Sequence, residues 1–350
     1  MKVSLIVPVG RPDTASLTIE SILGQSLLPE DIEIICVGAN LSSLADRFDD
    51  SRIHYVPLEH RCNPAQTRMA GIVQATGDIY LFVDDDIELD SHLLERLLCV
   101  FSLTPNLGAV GARLPCTEKT YFSRVTDLAN FWSQQSLQSG TRSWLYSAVL
   151  AVPAIVYNEV GGFNADLAVG EDVDLTSRIN QAHYSVRYEA GLIGYHNHRR
   201  TTLRAASSYF WSNGRLANLY FHSNPQLRCF RVVIVVQNVL QWLYNTIYCN
   251  RKNVLSLLLY LPGIIVMYSI LSVSLEYHYQ KLVKSYIKEK ITAENLSSHN
   301  IRDSFLLRAL RGKTSGSKVW SFIPLSVCNF RDLVYALPII LLLLFYFLRV

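Results

Sequence analysis

The chain has 350 residues, a formal net charge of +3 and 50% hydrophobic residues. This length allows one large domain or two smaller ones. The small charge, with no dense block of Lys and Arg before residue 280, argues against nucleic acid as a partner. The 7 cysteines are scattered and form no CxxC pair, which is typical of a reduced compartment and argues against a zinc site or a disulfide framework.

Residues 1 to about 200 alternate short apolar strands with amphipathic helices, which predicts an α/β domain with a mostly parallel sheet flanked by helices. The predicted strands are Val3–Val7, Ile32–Val37, Ile53–Val56, Ile79–Val83, Ala109–Leu114 and Ala148–Val152. The predicted helices are Thr14–Gln25, Ala65–Ala75, Ser91–Leu103 and Val173–Ala182. The first apolar run, Val3–Val9, is short and contains Pro8, so it is not typical of a signal peptide.

The last third of the chain carries most of the apolar excess that gives a mean hydropathy of +0.18. Val254–Leu275 has no charged residue and is long enough to span a hydrocarbon core of about 30 Å. Leu333–Leu348 is a second uncharged run, and Val232–Cys249 is either a span or an interfacial helix, because one of its faces is polar. We therefore predict a domain at 1–228, membrane-associated segments at 229–276, a basic linker at 277–332 and a C-terminal membrane segment at 333–350.

The basic linker contains ten Lys and Arg residues that the positive-inside tendency would keep in the cytosol. We therefore expect the protein at the cell membrane, with its N-terminal domain facing the cytoplasm.

Three consecutive carboxylates, Asp84, Asp85 and Asp86, directly follow the predicted strand Ile79–Val83. Like charges at the end of a buried strand repel and lose hydration, and a bound divalent cation offsets that cost. Asp84 and Asp86 offer the hard oxygen ligands that Mg²⁺ or Mn²⁺ takes beside diphosphate oxygens. An acidic turn before a helix is the alternative interpretation.

The loop that begins at Pro8 and Val9 follows the first strand and is predicted at the same edge of the sheet, outside the carboxyl ends of the strands, where such sheets bind ligands. Arg68 on a helix can meet a diphosphate bidentately or lie on the surface. Glu171 and Asp172 begin a helix, where either acid can favour the helix dipole or act as a general base.

Two histidines, His196 and His198, follow a strand-like stretch near residue 195. A lone histidine is usually structural, but two at this spacing beside a carboxylate site favour metal ligation.

Taken together and in this order, these residues resemble the family 2 glycosyltransferases, which are inverting enzymes with a GT-A type fold. The resemblance covers roughly residues 2–225 and rests on the stretches VSLIVPV, EIICV, QTRMAG, ATGDIYLFVDDDIELD, GAVGARL, EVGGFNADLAVGEDVDLTSRI and HNHR. YFWSNGRLANLYFHSNP is similar to the helix that follows the catalytic domain in membrane-anchored members. No QxxRW sequence follows the catalytic acids, so the resemblance is to the non-processive branch.

The resemblance implies a role for each matching residue. Asp172 is the catalytic base with Glu171 beside it, and Mn²⁺ or Mg²⁺ is held by Asp86, Asp84 and His196 or His198. The donor-binding residues implied in this way are Pro8, Val9, Arg68, Asp84 and Asp85. The implied reaction moves one sugar from a nucleotide-sugar donor to a lipid-linked or other membrane-proximal glycan acceptor.

The chain departs from the family pattern after the second strand, where Asp-Asp-Gly-Ser is replaced by Gly38-Ala39-Asn40-Leu41. The aspartate that reads the nucleobase is therefore missing at Gly38, and Met69 replaces a usual asparagine. This loss favours one alternative, a non-catalytic scaffold or nucleotide-sugar-binding protein on the same fold. A second alternative, a sugar nucleotidyltransferase, is disfavoured because the loop after the first strand has a single glycine, Gly10.

Overall fold

Nine strands form one mixed sheet in the computed structural model, which describes residues 1–26, 32–131, 134–167, 169–223, 259–271, 273–274, 277–278 and 281. The strands, in chain order, are β1 Val3–Pro8, β2 Ile32–Gly38, β3 Ile53–Pro57, β4 Ile79–Val83, β5 Ile87–Leu89, β6 Leu107–Arg113, β7 Gly140–Thr141, β8 Val149–Pro153 and β9 Ser185–His196. The helices are α1 Pro12–Leu23, α2 Ser42–Ala45, α3 Pro64–Ile72, α4 Leu93–Leu103, α5 Tyr121–Asn130, α6 Ala154–Glu159, α7 Glu171–Gln181 and α8 Leu203–Ser223.

The strand order is β3-β2-β1-β4-β8-β6-β9-β5, and β7 pairs with β9. The first four strands of this order are parallel, whereas β8 is antiparallel to both β4 and β6, and β5 and β7 are antiparallel to β9. The prediction of a mostly parallel sheet is therefore corrected to a mixed one. The reason is that the chain returns through β8 into the middle of the sheet, a pairing that strand periodicity alone does not reveal.

The six predicted strands and four predicted helices are all present, with ends that differ by at most three residues. The buried central strand β4 is a continuous apolar run, and β1 and β2 are mostly apolar apart from the buried Ser4 and Glu33, as expected for strands covered on both faces. Helix α3 begins at a capping box, in which the Asn63 side chain and Gln66 satisfy each other's backbone N–H groups. Helix α7 begins at Glu171, two residues earlier than predicted.

A third apolar cluster lies outside the two faces of the sheet, between α5, α8 and a helix over residues 261–271, which we call α9. Ile264, Met267 and Tyr268 of α9 are buried against α5 and α8, and the Tyr268 hydroxyl donates to the Ala129 carbonyl at 2.5 Å. Part of the predicted span Val254–Leu275 is thus a helix that packs on the domain.

Within the part of the chain that the structure describes, no helix combines the length and the apolar composition needed to cross a membrane. The predicted segments Val232–Cys249 and Leu333–Leu348, most of the basic linker and the predicted domain boundary at 228 lie outside the described residues. They stay predictions.

Candidate functional site

The three aspartates lie at the carboxyl end of β4, between that strand and the short β5. The Asp84 backbone N–H donates to the Ala148 carbonyl at 3.0 Å, which continues the β4–β8 pairing to the site. Each carboxylate has its own set of partners, although Asp85 and Asp86 share Arg11, so the three acids are not interchangeable.

Asp85 holds the loop that follows β1. Its Oδ2 accepts hydrogen bonds from the backbone N–H groups of Gly10, at 2.7 Å, and Arg11, at 2.6 Å. Burial raises the pKa of the Asp85 carboxyl, although the positive charge of Arg11 opposes this. Pro8 ends β1, and the Val9 backbone N–H donates to the Val37 carbonyl at 2.7 Å. The residues predicted to bind the sugar donor, Pro8, Val9 and Asp85, therefore lie together at the end of β1. Asp85 holds the backbone of the loop in place through its hydrogen bonds.

The Asp86 carboxylate has two partners, Arg11 and His196. Arg11 Nη2 donates to Asp86 Oδ2 at 2.6 Å, and His196 Nε2 lies 3.5 Å from the same oxygen. Burial disfavours the charged form of Asp86, but His196 and Arg11 outweigh it, so the pKa of this carboxyl lies well below its usual range. Asp86 is therefore an ionised carboxylate at neutral pH. Sequence analysis missed Arg11, although its place directly after the first strand was a usable signal.

The pairing of β5 with β9 brings His196 to the aspartates. Ile87, the residue after Asp86, is the register partner of His196, and the Asn197 backbone N–H donates to the Asp86 carbonyl at 2.7 Å. His196 is buried, and its ring contacts Phe131 edge-on with centroids 4.9 Å apart. Of the two predicted histidine ligands, His196 is the one that reaches Asp86.

Arg68 joins the aspartates to the start of α7. Its side chain donates from Nη2 to Asp84 Oδ1 at 2.6 Å and from Nη1 to Glu171 Oε1 at 2.8 Å. The residue is only 3% exposed, which rules out the alternative of a surface arginine. Burial disfavours its charge, but the Asp84 and Glu171 carboxylates more than compensate, so the pKa of Arg68 is raised.

Helix α7 places Glu171 and Asp172 in its first turn, where the helix dipole favours negative charge. Gly170 precedes them with a φ of 78°, a left-handed conformation that favours glycine. Burial raises the pKa of both carboxyls, and the Asp172 charge raises that of Glu171 further. Both acids are thus stronger bases than exposed carboxylates.

Asp172 is oriented by the segment that leads into β8. Its Oδ2 accepts from the Ser147 backbone N–H at 2.9 Å and from the Ser147 hydroxyl at 3.3 Å. Its Oδ1 accepts from the Val173 N–H at 2.8 Å. Sequence analysis did not single out Ser147, because nothing in its local pattern marks it. Fixed hydrogen bonds to both oxygens position Asp172 as a general base.

His198 turns away from Asp86. Its Nδ1 accepts from the Arg200 backbone N–H at 3.0 Å, so in the neutral ring Nε2 carries the proton, and Nε2 lies 3.4 Å from Asp127 Oδ1. Ligand atoms of Cys116, Asp127 and His198 lie within 4.8 Å of one another. Burial raises the pKa of the Cys116 thiol. A protonated thiol is a poor metal ligand, and the buried His198 Nε2 and Asp127 Oδ1 have no hydrogen-bond partner among the described residues.

Asp84, Asp86 and His196 offer the ligand types of a divalent cation, but their ligand atoms are not among those that lie within 4.8 Å of one another in the described part of the chain. Two carboxylates and one imidazole combine the oxygen ligands of Mg²⁺ and Mn²⁺ with a nitrogen, and the imidazole favours Mn²⁺ of the two. In the described part of the chain, the buried His196 Nδ1 has no hydrogen-bond partner, whereas the other ring nitrogen, Nε2, is the one that faces Asp86.

Gly38 ends β2 in close contact with the loop after β1. A Cβ at this position would lie 2.4 Å from the Val9 carbonyl oxygen, so no larger side chain fits without moving the loop. The position of the Val9 backbone therefore requires glycine at residue 38, where the family pattern has aspartate.

The structure thus brings the predicted residues together at one edge of the sheet, with the exception of His198. Asp84, Arg68 and Glu171 form one connected group, and Asp85, Asp86 and His196 form another that shares Arg11. This arrangement of two arginines, five acids and a histidine can bind a metal-bound diphosphate and deprotonate a hydroxyl.

Comparisons with known proteins bear on the domain that carries this site. Residues 4–157 match the family model described as glycosyl transferase family 2. A similar relative is the O-antigen biosynthesis protein RfbC of Myxococcus xanthus, which is 29% identical over 204 residues, 51% of this chain and 16% of that protein. The pre-mycofactocin glycosyltransferase of Mycobacterium tuberculosis is 27% identical over 212 residues, 58% of this chain and 44% of that protein. The chain therefore spans less than half of the length of either relative.

A third relative is matched over more of its length. The O-antigen chain rhamnosyltransferase RfbN of Salmonella typhimurium is 24% identical over 225 residues, 60% of this chain and 71% of that protein. A solved structure, the mannosyltransferase from Pyrobaculum calidifontis in complex with GDP-Man and Mn²⁺, has a TM-score of 0.56 at 14% identity, covering 79% of this chain and 87% of that chain. At that identity the likeness shows the fold alone.

Proposed function

We propose that this chain, which carries a glycosyl transferase family 2 domain over residues 4–157, is an inverting glycosyltransferase. It moves one sugar at a time from a nucleotide-sugar donor to a lipid-linked or other membrane-proximal glycan acceptor. The observation that carries the proposal is the convergence of Asp86 with His196, and of Asp84 with Glu171 through Arg68, at one edge of the sheet. A scaffold protein has no need to keep so many desolvated acids together.

Asp172 is the general base in this proposal. Ser147 and Val173 fix its two oxygens, and burial raises its pKa toward the value at which a carboxylate accepts a proton efficiently. The acceptor hydroxyl gives its proton to Asp172 as its oxygen attacks the anomeric carbon. Attack from the face opposite the departing nucleoside diphosphate inverts the configuration at that carbon.

Asp84, Asp86 and His196 would hold Mn²⁺ or Mg²⁺, which supplies positive charge to the leaving diphosphate. Asp85 fixes the loop from Pro8 to Arg11, which forms the wall beside that position. Arg68 offsets part of the negative charge of Asp84 and Glu171, which lets these acids stay close together.

The same proposal places the protein at the cell membrane with its catalytic domain in the cytoplasm. Support comes from the sequence: Leu333–Leu348 is uncharged, and the preceding linker is rich in Lys and Arg. A lipid-linked acceptor would then be presented beside the domain. The absence of a QxxRW sequence supports transfer of a single sugar.

Turnover tests the proposal directly. The full-length protein in detergent is mixed with UDP-, GDP-, dTDP- or CDP-sugars, Mn²⁺ and extracted membrane lipids, and release of nucleoside diphosphate is measured. We expect release with one nucleotide class, loss on chelation and loss in Asp172→Asn, whereas Asp174→Asn on the same helix retains activity. Release that is unchanged in Asp172→Asn would contradict the assignment.

A side chain at Gly38 would clash with Val9, so this position cannot carry an aspartate that reads the nucleobase. This favours one alternative, a non-catalytic nucleotide-sugar-binding or scaffold protein. This alternative predicts nucleotide binding without turnover for every donor and every lipid fraction in the same assay.

A further inference from the structure

A cavity of about 270 Å³ lies beside the end of β9, outside the group of acids described above. Its walls come from the segment between β6 and α5, from α5 itself and from the residue that precedes α9. The lining residues are Cys116, Glu118, Lys119, Arg124 and Tyr260. Pockets for whole drug-sized ligands measure about 300–1,000 Å³, so this cavity suits the head group of a larger ligand.

The cavity is adjacent to the reaction centre through the backbone. Cys116 forms a parallel β-bridge with His196, and the Thr117 N–H donates to the His196 carbonyl at 3.1 Å. His196 in turn lies 3.5 Å from Asp86. Cys116, in one wall of the cavity, is therefore the direct bridge partner of His196, the residue that faces the proposed diphosphate site.

The charges that line the cavity favour an anion. Lys119 is exposed and has no hydrogen bond or ion pair to any residue within the described ranges. The Arg124 side chain is 37% exposed, lies 3.7 Å from the Asp127 carboxylate and donates to Gln135 Oε1 at 3.4 Å. The Glu118 carboxylate is already occupied, because it accepts from the Arg199 N–H at 2.9 Å and from the Cys116 thiol at 3.0 Å. The lining residues thus carry two cations and one engaged acid, and Lys119 is the cation that no described residue pairs with.

The remaining wall is apolar and belongs to the segment that contains α9. The Tyr260 ring stacks on Tyr121 with centroids 5.3 Å apart. Leu259 and Val266 nearby are exposed, and residues 254–275 contain no charge. An anion bound here would therefore carry an apolar group along this surface without an unfavourable charge contact.

We infer that this cavity binds the phosphate or diphosphate group of a lipid-linked acceptor, with Lys119 and Arg124 as its cationic contacts. The inference rests on the proposed function and names the acceptor side of the same reaction. A phosphate held here would keep the acceptor sugar close to His196 and Asp86 while its lipid follows the α9 surface.

The experiment measures binding of farnesyl diphosphate to the full-length protein in detergent, without divalent cation, by calorimetry. We expect Lys119→Ala to weaken binding about tenfold, as expected for one lost charge-assisted contact. Arg47→Ala, which removes an exposed charge two residues after the end of α2, leaves the affinity unchanged. Farnesol, which lacks the phosphates, does not bind, and Lys119→Arg retains most of the affinity.

Other results decide between sources or overturn the inference. Pyrophosphate that binds as tightly as farnesyl diphosphate, with the same dependence on Lys119, supports the phosphate subsite but with a soluble phosphorylated acceptor. Equal affinity in Lys119→Ala, binding of farnesol, or no binding of either phosphate compound overturns it. A thermal shift with nucleotide and Mn²⁺ on the same samples reports separately on the proposed function.

Discussion

Arg68 donates to Glu171 at 2.8 Å inside the protein, so a single arginine on α3 determines the charge environment at the start of α7. The same guanidinium donates to Asp84, on the strand that carries the three aspartates. Removing Arg68 would leave two buried carboxylates without their cation. The loss of unfolding free energy is larger for such a buried pair than for a pair at the surface.

Arg68→Met is expected to lower the free energy of unfolding by about 3–5 kcal/mol. The methionine fills much of the volume but leaves Asp84 and Glu171 without their shared cation. Arg52→Met is the matched control, because Arg52 pairs with Asp50 near the surface, and it should cost less than about 1 kcal/mol. Urea denaturation measures both, and equal effects in the two variants would contradict the buried pairing.

Stability should depend on pH through Glu171. Burial and the neighbouring Asp172 raise its pKa above the ordinary value of 4.5, so the folded protein holds a proton that the unfolded chain has lost. This contribution is complete below pH 4.5 and is lost as pH rises through the raised pKa. The unfolding free energy of the wild type minus that of Glu171→Gln should therefore fall from pH 4 to pH 8. A difference that rises with pH would contradict the shift.

The fall of kcat/KM at acid pH, the acid limb of the profile, should reflect protonation of Asp172. Burial raises its pKa above the ordinary value of 3.8, so kcat/KM should begin to fall at a pH above that value. In Arg68→Met a neighbouring positive charge is gone, so the pKa of Asp172 should rise and the acid limb should move to higher pH. Arg52→Met, which removes a positive charge near the surface, serves as the control and should leave the limb in place. An unmoved limb in Arg68→Met would remove Asp172 from the role of base.

Gly38→Ala should destabilise the protein by about 1–3 kcal/mol, because its Cβ would lie 2.4 Å from the Val9 carbonyl oxygen. Since the loop after β1 must shift, nucleotide affinity should decrease as well. Gly191→Ala is the control, because a Cβ there meets no atom within 4 Å. Thermal unfolding that is equal in the two variants would show that Val9 does not constrain this position.

Packing of α9 on the domain gives a further prediction. Met267 is buried against α5 and α8, so Met267→Ala should cost about 2–5 kcal/mol through the cavity that it leaves. Val266 on the same helix is 46% exposed, and Val266→Ala should change stability by less than about 0.5 kcal/mol. Similar small effects of both substitutions would mean that α9 does not pack on α5 and α8.

Sequence reasoning located the site because its acids directly follow an apolar strand, and strand ends of such a sheet share one edge. It predicts Asp86 and the loop after Pro8 at that edge. It could not separate His196 from His198, since the choice depends on the β5–β9 register and on the Arg200 N–H that binds His198 Nδ1.

Other features of the structure have no local signature. Ser147 reaches Asp172 only because β8 enters the middle of the sheet, and that crossover made the sheet mixed. Arg11 pairs with Asp86 across 75 positions of sequence. The uncharged run that predicted a span at Val254–Leu275 does not distinguish a membrane helix from one that is buried by α5 and α8.

Binding of a nucleotide panel to the full-length protein is the most direct test of the central claim that this edge of the sheet is a metal-dependent donor site. Thermal shifts are measured with UDP, GDP, dTDP and CDP, with and without Mn²⁺, for the wild type, Asp86→Ala and Asp174→Ala. We predict a shift that requires Mn²⁺, favours one nucleotide, is lost in Asp86→Ala and persists in Asp174→Ala. A shift in Asp86→Ala equal to that of the wild type, or no shift with any nucleotide, would contradict the claim.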